Sequence, residues 1–262
     1  MKKGGQVTIF IIIGIVIVSA MILFFVFRKD LGITVGESAS KNPNSFLKTC
    51  LEDKIQEGID TLLLQGGYIE PVLYKNFKFE DEKEPTQISY LCYSEADYLP
   101  CINREPMLIK HLKNELNDYI YDDVGNCFNS LTSSLEKQGY DVDAKYNGFD
   151  LILNENKIVV KINSEITLTK TGETTKQENF EVISYSRFYD LAVMAQEIIN
   201  KESVNCEFNH YDSFNYPEFD IEKHRTSDSS IIYEVEYEDS EEKFNFAVKG
   251  CVIPSGYGLE IE

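Results

Sequence analysis

Residues 140–153 read YDVDAKYNGFDLIL, and at Tyr140 the apolar period of this chain changes from helical spacing to alternation. Asn147-Gly148 divides the stretch. Both residues tolerate positive φ, so the pair predicts a tight hairpin between strands at 140–146 and 149–153. Two further strands, at 157–170 and 176–186, are joined through Thr171-Gly172-Glu173 and extend the prediction to a meander of four. Nearer the C-terminus, Tyr233, Val235 and Tyr237 alternate with Glu234, Glu236 and Glu238. Phe244, Phe246 and Val248 answer them across residues 239–242, which predicts another hairpin.

Upstream of Tyr140 the spacing is mostly helical. Ser45 predicts an N-cap, and Leu47, Leu51, Ile55, Ile59, Leu62 and Leu63 form one apolar face until Gly66-Gly67 stops the helix. Strands are expected at 72–79 and 87–93, around the charged turn EDEKEP. A second helix begins near Glu105-Pro106, with proline at a tolerated first-turn position, and buries Leu108, Leu112, Leu116, Tyr119 and Ile120. A third, at 126–137, ends at Gly139, and a fourth covers 187–200. Helices and strands fall in separate runs rather than alternating βαβ units, so the expected class is α+β with antiparallel sheets. One unit, or two with a sub-boundary near residue 139, fits this order.

The N-terminus is different in kind. From Val7 to Phe27 there are 21 residues without a charge, about 32 Å as a helix, which matches a hydrocarbon layer of about 30 Å. Lys2 and Lys3 precede the run, and Arg28 and Lys29 follow it, offset by Asp30. With the free amino group added, positive charge is slightly heavier on the N-terminal side and predicts that this side is cytoplasmic. The full expectation is therefore an N-terminal transmembrane helix over 6–29, a linker over 30–44, and an antiparallel-sheet-rich α+β ectodomain over 45–262 with three to four helices. A cleaved secretory signal is the rival, because Val18-Ser19-Ala20 imitates a cleavage site, but such a cut would leave seven apolar residues exposed.

The residues Lys2-Lys3-Gly4-Gly5-Gln6-Val7-Thr8-Ile9-Phe10 resemble the leader (class III signal peptide) of archaeal type IV pilin-like proteins. That resemblance implies cleavage of leader 1–5 between Gly5 and Gln6, with the apolar segment retained. Phe10 stands where many pilins carry an acidic residue, and Gly32, Gly36 and Pro43 interrupt the helix that pilins continue into the head. The wider chain is similar in texture to single-pass membrane-anchored proteins of small archaea, through residues 50–69 ending LLLQGGYI and a β-rich C-terminal section. This likeness implies no activity.

Charge excludes one partner class. Across 262 residues there are 25 basic and 44 acidic side chains, a net charge of -19, and such a surface repels phosphate backbones, so no nucleic-acid partner is expected. Every acidic residue follows Lys29. Cys50, Cys92, Cys101, Cys127, Cys206 and Cys251 also lie beyond the apolar run, and an even number in an exported domain points to disulfides, with 15 complete pairings open. Cys92 and Cys101 close a short loop containing Pro100. Cys50 with Cys127 would tie two helices, and Cys206 with Cys251 would hold the C-terminal unit. Reduced, buried thiols are the alternative.

Metal and catalytic signatures are sparse. There is no CxxC, and no cysteine has finger-like spacing to His111, His210 or His224, which argues against zinc. Residues 141–148 superficially resemble a calcium loop, but Lys145 and Tyr146 occupy positions that need an oxygen ligand and glycine. Asp118, Asp122 and Asp123, like Glu234, Glu236 and Glu238, are expected to be solvated faces. No GxSxG, phosphate loop, HExxH or dinucleotide fingerprint occurs; Ser255-Gly256-Tyr257-Gly258 is a glycine-rich turn. His210-Tyr211-Asp212 and His224-Arg225 offer acid–base groups in isolation. The expectation is a non-enzymatic, membrane-anchored cell-surface protein in adhesion, envelope architecture or partner binding. It has no cofactor, metal or catalytic residue; its partners are a lipid bilayer through Val7 to Phe27 and a protein, which includes copies of itself. A pilin-like filament subunit and a membrane-tethered hydrolase or ligand-binding receptor are the alternatives.

Overall fold

The computed structural model describes residues 42–80, 83–96, 98–209 and 214–251. The first helix, α1 (Pro43–Leu64), opens at Asn42, whose side-chain oxygen accepts from the Ser45 N–H at 3.1 Å, so Asn42 and not Ser45 is the cap. Pro43 sits where a missing N–H costs nothing. The helix ends at Gly66-Gly67, both at positive φ, and Gly67 N–H donates to Leu62 O. A side chain at Gly67 would stand 2.9 Å from Leu112, so this turn needs glycine for space as well as for φ.

The second helix, α2 (Leu108–Lys137), is one rod of 30 residues where the sequence had suggested two. Gly125 lowers helix propensity by about 1 kcal/mol, but the buried series Leu116, Ile120, Val124, Phe128, Leu131 and Leu135 carries the apolar face straight through it. Helix α1 packs antiparallel to α2: Cys50 is bonded to Cys127, Gly58 lies against Leu116 and Tyr119, and Gly67 lies against Leu112. Helix α3 (Phe188–Asn205) completes the helical layer.

Among the described residues, nine strands form two sheets. In the first, β1 (Tyr74–Phe77), β2 (Thr86–Tyr93), β9 (Lys243–Lys249), β8 (Ile231–Tyr237) and β7 (Phe219–Arg225) follow one another, and β3 (Ile102–Asn103) pairs beside β2. The β2–β9 pair is parallel, joining strands about 150 residues apart in sequence, so this sheet is mixed rather than purely antiparallel. In the second, β4 (Asp141–Asn154), β5 (Lys157–Lys170) and β6 (Glu173–Ser184) form an antiparallel meander.

Strand β4 runs through Asn147-Gly148 without turning. The register passes from Tyr146↔Ser164 to Phe149↔Ile162, so Asn147-Gly148 is a bulge and the hairpin turn falls at Glu155-Asn156. A glycine at φ +88° suits a bulge as well as a turn, and long-range pairing chose the bulge. The next strand pair shifts register at the same level, where Asn179 has φ +51°.

Two apolar clusters result. The main one joins the three helices to both sheets, and it includes Leu47 to Leu63 of α1, Leu108 to Leu135 of α2, Leu151, Val160, Phe188, Tyr233 and Phe246. It is continuous across residue 139. The smaller one lies on the opposite face of the first sheet and is built on Ile88, Tyr90, Ile232 and Ala247.

The fold expectation needs correction at its N-terminal end. Among the described residues the chain is α+β with three helices, and none of these is long and apolar enough to cross a membrane. The helix expected over 6–29 lies outside the described residues, with Gly5, Gln6 and most of the 30–44 linker; so do residues 210–212 and 255–258.

Candidate functional site

The first sheet curls so that its two edges meet. On its outer face, Phe77 of β1 and Phe79 just beyond it both place their rings 5.4 Å from His224 of β7, although β1 and β7 are the ends of the strand order. Lys75 Nζ donates to Asp228 Oδ2 at 2.8 Å, a clasp between β1 and the β7–β8 turn. The curl encloses a recess of about 710 Å³ over the β7, β8 and β9 strands.

Register explains which side chains line it. Glu222 pairs with Glu234, and Glu234 pairs with Asn245, so three oxygen-bearing side chains stand in one row across three strands. His224, Ile232 and Ala247 make the next row and put an apolar band beside the polar one. Asn245 is only 2% exposed, and its Oδ1 has no hydrogen-bond partner. His224 Nε2 is also buried without a hydrogen bond, 3.6 Å from a Glu222 carboxylate oxygen. Lys243 donates to Glu234 at 2.8 Å and ion-pairs with Glu236 at 3.0 Å, and these carboxylates hold its ammonium pKa above the ordinary lysine value.

The clasp has a pH signature. Burial by itself would raise the Asp228 carboxyl, but hydrogen bonds from Lys75, Thr226 and the Ser230 N–H override it and hold Asp228 well below the usual carboxylate range. A depressed acid contributes stability that is complete above its unfolded value near 3.9 and is lost as pH falls toward the folded one. The urea midpoint of Asp228→Asn should therefore lie below that of the parent at about pH 6, with the gap closing at about pH 2.5. A gap of constant size would show that the clasp contributes through shape and not through charge.

A second polar cluster is structural. Glu202 of α3 is 3% exposed and accepts from the Tyr233 hydroxyl and, at 3.1 Å, from the Phe208 N–H. Burial first, and then the Glu202 carboxylate, push the Tyr233 phenol far above its ordinary pKa. Glu202 also lines a smaller recess of about 370 Å³ beside the Cys206–Cys251 bond. His111 is structural too: its Nε2 meets Gly67 O at 2.9 Å and its ring lies 4.4 Å from that of Tyr68.

The six cysteines form three disulfides, Cys50–Cys127, Cys92–Cys101 and Cys206–Cys251, with Cα separations of 5.9, 5.2 and 5.5 Å. They join α1 to α2, β2 to the residue before β3, and the end of α3 to the second residue after β9. Residues 141–148, which resembled a calcium loop, lie in β4. Among the described residues no group of three or more His, Cys, Asp or Glu is placed to hold a metal ion.

Asn245, Phe77 and Phe79 were not singled out by sequence. Asn245 sits between Phe244 and Phe246, and its position opposite two core aromatics was the one available signal of an outer-face group. Compared with known proteins, the chain matches no family model, no curated protein and no solved structure.

Proposed function

We propose that this protein is a non-enzymatic binding domain held at a lipid bilayer by the apolar run from Val7 to Phe27, with its acidic, disulfide-bonded part outside the cytoplasm. It acts by presentation, in adhesion, envelope architecture or the capture of a partner. The observation that carries this reading is the pairing of all six cysteines. Such frameworks persist in oxidising compartments and are rare where thiols are kept reduced. The basic flank before the apolar run supports the same orientation.

Protease treatment of intact cells, followed by intact mass and N-terminal sequencing of the membrane-held remnant, tests it. We expect the acidic domain to be released from intact cells and to take up alkylating reagent only after reduction. A domain that stays protected, or thiols that alkylate without reductant, would overturn the reading. An N-terminus at Gln6 would favour a pilin-type processing route, in keeping with the leader Lys2-Lys3-Gly4-Gly5.

A further inference from the structure

The geometry points to the outer-face recess as a binding site for a primary alkylammonium ligand, with Asn245 Oδ1 and the carboxylates of Glu234 and Glu222, in one row across three strands, as its acceptors. This assignment stands on the recess alone and is independent of membrane location.

Three observations narrow the ligand. The first is a deficit of donors. Asn245 lines the recess, is 2% exposed, and leaves its Oδ1 without a hydrogen bond, so this acceptor has been taken from water with no donor in return. The second is spacing. Glu234 is the direct cross-strand partner of both Glu222 and Asn245, so each neighbouring pair has Cα atoms about 4.5–5.5 Å apart, while the outer two flank Glu234 at about 9–10 Å. An ammonium nitrogen making hydrogen bonds of about 2.8 Å fits between the two acceptors of a neighbouring pair. The same face already holds one ammonium in this way, since Lys243 bridges Glu234 and Glu236 one row along.

The third is the apolar wall. Phe77 and Phe79 stand edge-on to each other at 4.9 Å and both lean on His224. That wall suits a methylene stem. Glu222, with a Glu234 that Lys243 offsets only in part, disfavours an anion. A metal ion is disfavoured because no group of three metal-binding side chains is in place among the described residues. Lys78 and Glu80, both exposed, stand at the rim with opposite charges and cancel.

Calorimetric titration of the full chain in detergent tests the site. The probes are 1,4-diaminobutane, Nα-acetyl-lysine N-methylamide and, as a neutral isostere, butane-1,4-diol. We expect saturable binding of one or both amines below about 10 mM and none of the diol. Tighter binding of the diamine would identify a free polyamine-like ligand, and tighter binding of the lysine derivative a side chain of a protein partner. Asn245→Leu and Glu222→Gln should each weaken the amine about tenfold, the loss expected when one bond to a charged group is removed. Glu222 is exposed, so Glu222→Gln keeps the test valid if Asn245→Leu folds poorly. No saturation by either amine, equal binding of the diol, or unchanged affinity in a folded Glu222→Gln variant would overturn the assignment.

Discussion

Reduction of the three disulfides should unfold this domain at 37 °C. Each bond closes a loop in the unfolded chain, and the entropy it removes grows with the separation of the cysteines. For separations of 77, 45 and 9 residues the loop model gives about 4.5, 4 and 2.7 kcal/mol for Cys50–Cys127, Cys206–Cys251 and Cys92–Cys101. These values do not simply add, because the shortest loop is nested inside the longest. Even so, their combined size is comparable to the whole stability of a typical domain, about 5–15 kcal/mol. Thermal melts followed by circular dichroism, with and without reductant, check this. Paired serine substitutions should rank in the same order, with Cys50/Cys127 the most costly. A parent whose melting is unaffected by reductant would show that packing alone holds the fold.

The second large effect is expected at Glu202. This carboxylate is buried at the last turn of α3 and accepts from Tyr233 OH and Phe208 N–H. Glu202→Ala removes buried volume and leaves both donors unpaired, which should cost about 2–5 kcal/mol. Tyr233→Phe takes away one donor and leaves a buried charge with less support, a loss of about 1.5–3 kcal/mol. Urea denaturation measures both. Alkali separates the charge effect from packing. The Tyr233 pKa is raised by folding, so its contribution is complete below the unfolded value near 10 and declines as pH rises beyond it. That alkaline decline should be weaker in Tyr233→Phe. An equal decline in both proteins would place the effect on other tyrosines.

The contrast between Glu202 and Asn245 bears on how much of the molecule was legible. Both read as ordinary polar residues in sequence, one just past an expected helix and one in a strand. One is a satisfied structural group and the other is an orphan facing a recess, and only the partners that long-range folding brings to them make the difference. His224 is similar. The sequence offered it as an acid–base group beside Arg225; the structure sets it against two phenylalanines from the opposite edge of the sheet.

The pattern of residues by itself determined the α+β class of the described region, the buried faces of α1 and α2, the alternation in β8, and the capacity for disulfides. These are local properties, since a helix or strand declares its buried face through the spacing of its own side chains. Tertiary structure decided the rest. It fused two expected helices into α2, made Asn147-Gly148 a bulge in β4, and set β2 parallel to β9. It also curled the first sheet until Phe77 met His224. Each of these outcomes depends on pairing between segments far apart in sequence, where local preference allows more than one answer and the shared core selects among them.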